Sequence, residues 1–167
     1  MKLHVVDSIE IIEADLDRPE HQRDVLAMTV AYALDPMGNG GPLSDDALAR
    51  LIPGLRCHPT TLVFLAYVDG RPAGIATCFR GFSTFHARPL INIHDLAVVS
   101  HQRGRGVGRE LLAAVERKAR DWGCCKLTLE VVADNDRARR AYESAGFTNS
   151  GPPGKAESYF LAKRLDV

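Results

Sequence analysis

The stretch Leu96 to Leu112, LAVVSHQRGRGVGRELL, constrains this chain more than any other. An apolar run enters a turn bearing Gly104, Gly106 and Gly108, and the turn opens straight into an amphipathic segment. A strand followed by a helix in this way needs a sheet for the first and an apolar face for the second to pack on, so both element types share one core. The glycines leave backbone N–H groups uncovered at a helix start, where the first turn's donors already lack partners and about half a positive charge gathers. Bare backbone there suits phosphate oxygens, and Arg103, Arg105 and Arg109 add charge beside it. Two familiar nucleotide loops are excluded. No Gly-Lys-Ser/Thr is present, and a G-x-G-x-x-G starting at Gly104 would need glycine where Arg109 stands. Taken alone, three glycines suit close packing as well as ligand binding.

The rest of the chain supplies the elements such a turn needs. Ile9 to Glu13 reads as a strand, Pro19 opens a helix carrying Val25, Leu26, Met28, Tyr32 and Ala33, and Ser44 caps a second helix through Leu51. Thr61 to Val68 and Ala73 to Phe79 form a hairpin about Asp69-Gly70, and Leu90 to Val99 is a strand expected to be buried on both faces. A helix over Gly106 to Trp122 ends at Gly123 and another over Asn135 to Ala145 ends at Gly146, with strands at Leu127 to Val132 and Ser158 to Leu165. No repeat or linker divides residues 1–167, which read as a single domain around a mixed sheet.

The charge balance, 21 Lys+Arg against 21 Asp+Glu, argues against a dedicated nucleic-acid binder. No apolar stretch approaches the roughly 20 residues that cross a bilayer, and the acidic N-terminal segment is unlike a signal peptide, so no membrane association and a cytoplasmic location are expected. Cys57, Cys78, Cys124 and Cys125 lack the C-x-x-C spacing of a zinc site and read as buried, reduced thiols. Neutrality conceals a division: His101 to Arg140 holds 10 Lys+Arg against 6 Asp+Glu, whereas residues 1–60 hold 5 against 10. The basic segment contains the glycine turn, and the acidic one suits a cationic ligand.

Two spaced motifs resemble the GCN5-related N-acetyltransferases. Their Arg/Gln-x-x-Gly-x-Gly/Ala turn is matched by Arg103, Gly106 and Gly108, and a second motif after the next strand by Asn135, Ala138, Tyr142, Gly146 and Phe147. The likeness is good over about residues 61–165, with Ser100 standing where many members carry proline. It implies an α/β (α+β) fold with a mixed, mostly antiparallel central sheet flanked by about four helices. It also implies acetyl-coenzyme A as co-substrate, with no metal: pyrophosphate on Arg103, Gly104, Arg105, Gly106, Val107, Gly108 and Arg109, and the pantetheine arm along Leu96, Ala97 and Val98. Asn135, Ala138 and Tyr142 share a helix face and can address the same ligand.

An amine acceptor with a pKa of about 10.4 is protonated at neutral pH, and freeing its lone pair costs about 4.6 kcal/mol, so a base or a dry site is needed. His94 and Asp95 sit on the strand before the arm-binding residues. In a regular strand they point to opposite faces, His94 with Leu96 and Val98, which ranks His94 slightly ahead as the base. The resemblance makes Tyr142 the acid that protonates departing coenzyme A. It also assigns the acceptor to Asp35 to Ser44, to Ser83, Thr84, Phe85 and His86, and to the neighbourhood of Ser158 and Tyr159. The expected activity is acetyl transfer to a primary amine of a small molecule. A protein N-terminus or lysine, and a non-catalytic acyl-coenzyme A module, are the alternatives, and a homodimer is left open.

Overall fold

The computed structural model describes residues 8–151 and 157–166. The elements run β1 (Ile9–Glu13), α1 (Pro19–Leu34), α2 (Asp45–Cys57), β2 (Thr61–Val68), β3 (Arg71–Ser83), β4 (Arg88–Val98), a 3-10 turn (Ser100–Gln102), α3 (Val107–Asp121), β5 (Lys126–Val132), α4 (Asp136–Ser144), β6 (Thr148–Asn149) and β7 (Ser158–Arg164). The strands form one sheet in the order β1-β2-β3-β4-β5-β7-β6. Every neighbouring pair is antiparallel except β4 and β5, which run parallel. A mixed, mostly antiparallel sheet with four helices is the expected fold. Among the described residues no helix is long and apolar enough to cross a membrane.

Side-chain alternation divides the core between the two faces of the sheet. Ile91, Ile93, Leu127 and Leu129 pack with Leu111 and Val115 of α3 and Tyr142 of α4, while Val63, Leu65 and Ile75 pack with Val25 and Met28 of α1 and Ile52 and Leu55 of α2. On the first face α3 lies hard against β3. A Cβ on Gly74 would sit 2.9 Å from the Ala97 carbonyl oxygen and 3.1 Å from Leu111 Cδ1, so only glycine fits there without a shift. Lys163 of β7 donates to the Ala145 carbonyl at 2.7 Å and to Glu116 of α3 at 2.6 Å, which ties the end of α4 to both neighbours. On the second face the Tyr67 hydroxyl donates at 2.8 Å to Asp24, pinning α1 to β2. Burial first, and that carboxylate second, push the Tyr67 phenol up to about 12.

Four local expectations need correction. Helix α2 continues past Leu51 and Pro53 to Cys57, because Ile52 and Leu55 extend its apolar stripe onto the sheet. Cys57 is accordingly exposed, whereas Cys78, Cys124 and Cys125 are buried. Strand β4 is not buried on both faces, since beyond Ile93 its residues are half-buried or, at His94, exposed. His94 and Asp95 also do not alternate. Thr77 faces Asp95 and Cys78 faces Ile93, which leaves His94 as an extra residue in β4. The parity change shows in the packing, where Leu96 and Val98 join the cluster of Ile91 and Ile93, while Ala97 joins that of Ile75. Both His94 and Asp95 therefore fall on the α1/α2 face, opposite Leu96 and Val98.

Candidate functional site

Strands β4 and β5 pair only from Ile91–Leu127 to Ile93–Leu129. Past that rung they separate, and among the described residues one edge of β4 from His94 to Val98 has no strand beside it. The gap opens into a cavity of about 570 Å³, bounded by the glycine turn, α4, and Tyr32 and Met37. An unpaired strand edge presents N–H and C=O groups that need partners, so the cavity offers a ladder to any ligand carrying amides.

The turn closes one end. Gly104 and Gly106 have φ of 76° and 91°, in the left-handed region that glycine favours. A Cβ on Gly104 would meet nothing, and one on Gly106 or Gly108 would come no nearer than 3.7 Å to any atom. Close packing, which does require Gly74, therefore does not require these three. The backbone N–H groups of Gly104, Gly106, Val107, Gly108 and Arg109 donate to no backbone acceptor among the described residues. They gather at the positive end of α3, beside the exposed Arg109.

The three arginines differ in what they do. Arg103 donates through Nε to the Val98 carbonyl at 2.8 Å and through Nη2 to Asp35. Arg105 donates to Gln102 Oε1 at 3.1 Å and lines no part of the cavity. Arg109 lines it, with its guanidinium beside Glu110 at 3.5 Å. Every other residue expected to touch the cofactor lines the cavity: Leu96, Ala97, Val98, Arg103, Gly104, Gly106, Val107, Gly108, Asn135, Ala138 and Tyr142. Asn135 has a second task, since its Oδ1 caps α4 by accepting from Ala138 N–H at 3.2 Å.

Titratable groups meet at the other end, where the strands part. His94 lines the cavity, its ring 5.7 Å from Phe79 in an edge contact. Asp95 does not line it; burial holds its carboxyl above the usual range, with His94 pulling it back. Tyr142 is 8% exposed. Burial, and then proximity to Tyr32, keep its phenol protonated well above the usual range. The Tyr32 phenol is raised in turn by burial, Asp95 and Asp35. The neutral phenol of Tyr142 and the His94 imidazole thus line one cavity, with the reluctant Asp95 carboxylate beside His94.

Some participants were not foreseen. Tyr32 reads as part of the apolar stripe of α1, and Glu130 is the polar residue between Leu129 and Val131 that any half-exposed strand would carry. Arg137 on the first turn of α4 also lines the cavity. Of the expected acceptor region, Asp35, Met37 and Ser158 line it, whereas Ser83, Thr84, Phe85 and His86 do not. Those four form the tip of the β3–β4 hairpin, where Ser83 Oγ and His86 Nδ1 lie 3.1 Å apart and Phe85 is fully exposed.

Residues 28–147 match the acetyltransferase (GNAT) family. The chain belongs to that family. An uncharacterized N-acetyltransferase of Bacillus subtilis, YycN, is 42% identical over 62 residues, covering 37% of this chain and 40% of that protein. This chain spans less than two thirds of the curated relatives it matches. Among solved structures, the PaiA N-acetyltransferase of Thermoplasma acidophilum in complex with coenzyme A has a TM-score of 0.68 at 15% identity, covering 95% of this chain and 99% of that one. Arabidopsis thaliana Naa50 in complex with the bisubstrate analogue CoA-Ac-MVNAL has a TM-score of 0.67 at 19% identity, again over 95% and 99%. At those identities the two structures establish a shared fold.

Proposed function

We propose that this chain transfers an acetyl group from acetyl-coenzyme A to the primary amine of a small molecule by direct attack. One observation carries the reading: a row of N–H groups at the start of α3 that no backbone acceptor claims among the described residues, three of them on glycines that packing does not need. A pyrophosphate is the ligand that uses such a row, and the free edge of β4 would pair with the amides of a pantetheine arm. The fold shared with coenzyme A-bound PaiA supports the same assignment.

Each residue then has a task at the far end. The amine must shed a proton, at a cost of about 4.6 kcal/mol for an unperturbed lysine-like amine at neutral pH. His94 and Glu130 line the cavity and are able to accept it, directly or through water, with Asp95 beside His94. Tyr142 remains a neutral phenol because burial disfavours its anion, so it keeps a proton for the departing thiolate. Peptide N–H groups of the unpaired β4 edge are the donors available to a developing oxyanion.

The acceptor class rests on how the cavity is narrowed. Tyr32 and Met37 bound it on the acceptor side, and the Arg103–Asp35 pair holds the segment after α1 down against the glycine turn. A small amine fits that space better than a folded protein surface. A peptide N-terminus is the rival acceptor, favoured by the fold shared with Naa50. Thiol release measured with a panel of small amines and short peptides separates the two. Turnover on small amines is expected, and turnover confined to peptides would reassign the acceptor.

A further inference from the structure

We propose that Asp35 is a positioning residue which, through Arg103, fastens the acceptor-side segment to the cofactor turn and so couples the two halves of the site. The inference rests on the acetyl-coenzyme A reading and adds to it a specific mechanical link.

Arg103 is committed at two of its nitrogens. Nε holds the carbonyl of Val98, the last residue of β4, and Nη2 holds Asp35, 68 positions away in sequence. Both side chains are largely buried, at 26% and 15% exposure, so the pair is shielded from solvent and salt in a way surface pairs are not. Asp35 is itself built into the end of α1. Its N–H donates to the Tyr32 carbonyl at 3.0 Å, its Oδ1 accepts from Met37 N–H at 2.9 Å, and its carbonyl accepts from Gly38 N–H at 2.9 Å. Gly38 folds so tightly over α1 that a Cβ there would lie 2.0 Å from the Tyr32 carbonyl oxygen. Asp35 therefore moves as one body with Tyr32 and Met37, the two residues that bound the acceptor side.

One charged contact thus joins that body to the turn where phosphate is expected to bind. Arg103 serves as a clamp, and Arg109, exposed on the same turn and lining the cavity, is a cation available to phosphate. A ligand that orders the turn must steady the segment from Asp35 to Gly41 as well, and by linkage an acceptor that orders the segment must tighten coenzyme A. Were Arg103 a phosphate ligand instead, removing the Asp35 charge would release it and strengthen binding. The two accounts predict opposite signs.

The test is coenzyme A titration by calorimetry, with backbone hydrogen exchange on the free and coenzyme A-bound protein, for wild type, Asp35→Asn and Asp35→Glu. In wild type, coenzyme A should slow exchange both at residues 104–109 and at residues 35–41. Asp35→Asn should bind coenzyme A roughly tenfold more weakly, the scale of a lost charged contact, and protect the turn alone. Asp35→Glu should recover much of both effects. Unchanged or tighter binding by Asp35→Asn, or undiminished protection of residues 35–41 in it, overturns the coupling. Should Asp35→Asn fail to fold, Arg103→Lys, which keeps the charge but loses the fork, should show the same loss of protection at residues 35–41, and full protection there overturns the coupling too. Wild-type protein that does not bind coenzyme A would instead remove the cofactor assignment itself.

Discussion

Ile93 and Leu129 form the last rung between β4 and β5, and the two strands part immediately beyond them. Both side chains are buried in the α3 face of the core, so the seam is firmly closed up to that point. The next residue of β4 is the extra one, His94, and the extra residue bends the strand away from its neighbour. The same irregularity thus opens the cavity, frees an edge of β4 and sets His94 at the apex.

Gly108 tests whether the turn is kept bare for a ligand. Its nearest neighbour to an added Cβ is Val98 Cγ2 at 3.7 Å, an ordinary contact, and its φ is not in the left-handed region. Gly108→Leu should therefore fold with stability within about 1 kcal/mol of wild type, helped by the better helix propensity of leucine. Its affinity for coenzyme A should fall at least tenfold. Calorimetry and thermal melting on the same sample check both halves.

Gly74 predicts a different pattern, in which stability and binding fall together. Gly74→Ala presses a methyl against the Ala97 carbonyl and Leu111, and overpacking of this kind costs about 1–3 kcal/mol. Denaturant titration should show that loss. Since Ala97 lines the cavity and would be displaced, weaker coenzyme A binding should accompany it.

Tyr142→Phe separates chemistry from packing. Among the described residues no hydrogen bond holds the hydroxyl, which borders the cavity, so its loss should leave the melting temperature nearly unchanged. Turnover should drop by a factor of about 10²–10⁴ if the phenol protonates the leaving thiolate. Steady-state thiol release by the variant decides the matter, and wild-type turnover would remove that role.

Asp95 makes the fold sensitive to pH in a defined direction. Burial raises its folded-state pKa above the unfolded value of about 3.9, so the folded protein holds this proton longer. Its ionisation therefore costs stability, a cost absent below the unfolded pKa and growing as pH rises through the raised one. Asp95→Asn should melt above wild type at pH 7, and the gap should close as the pH is lowered toward 4. A gap that widens on acidification would contradict the burial argument.

Much of this was legible in the residues, for physical reasons that differ by element. The glycine turn and the helix after it were readable because φ above zero and a run of bare N–H groups leave a compositional mark. Asn135, Ala138 and Tyr142 were readable because spacings of three and four put them on one face. The bulge at His94 leaves no such mark: Ile91, Ile93, Leu96 and Val98 are as apolar in an even register as in a shifted one. Tyr32 was hidden because a helix stripe facing a cavity looks like one facing a core. The Asp35–Arg103 pair spans 68 positions, and only the folded topology brings it together.

Acetyl transfer is the central claim, and thiol release from acetyl-coenzyme A tests it most directly. Measured against a panel of small primary amines, release should depend on the amine, saturate with it, and yield the acetylated product. Coenzyme A that binds the glycine turn while no amine or peptide raises thiol release above the protein-free rate would contradict it.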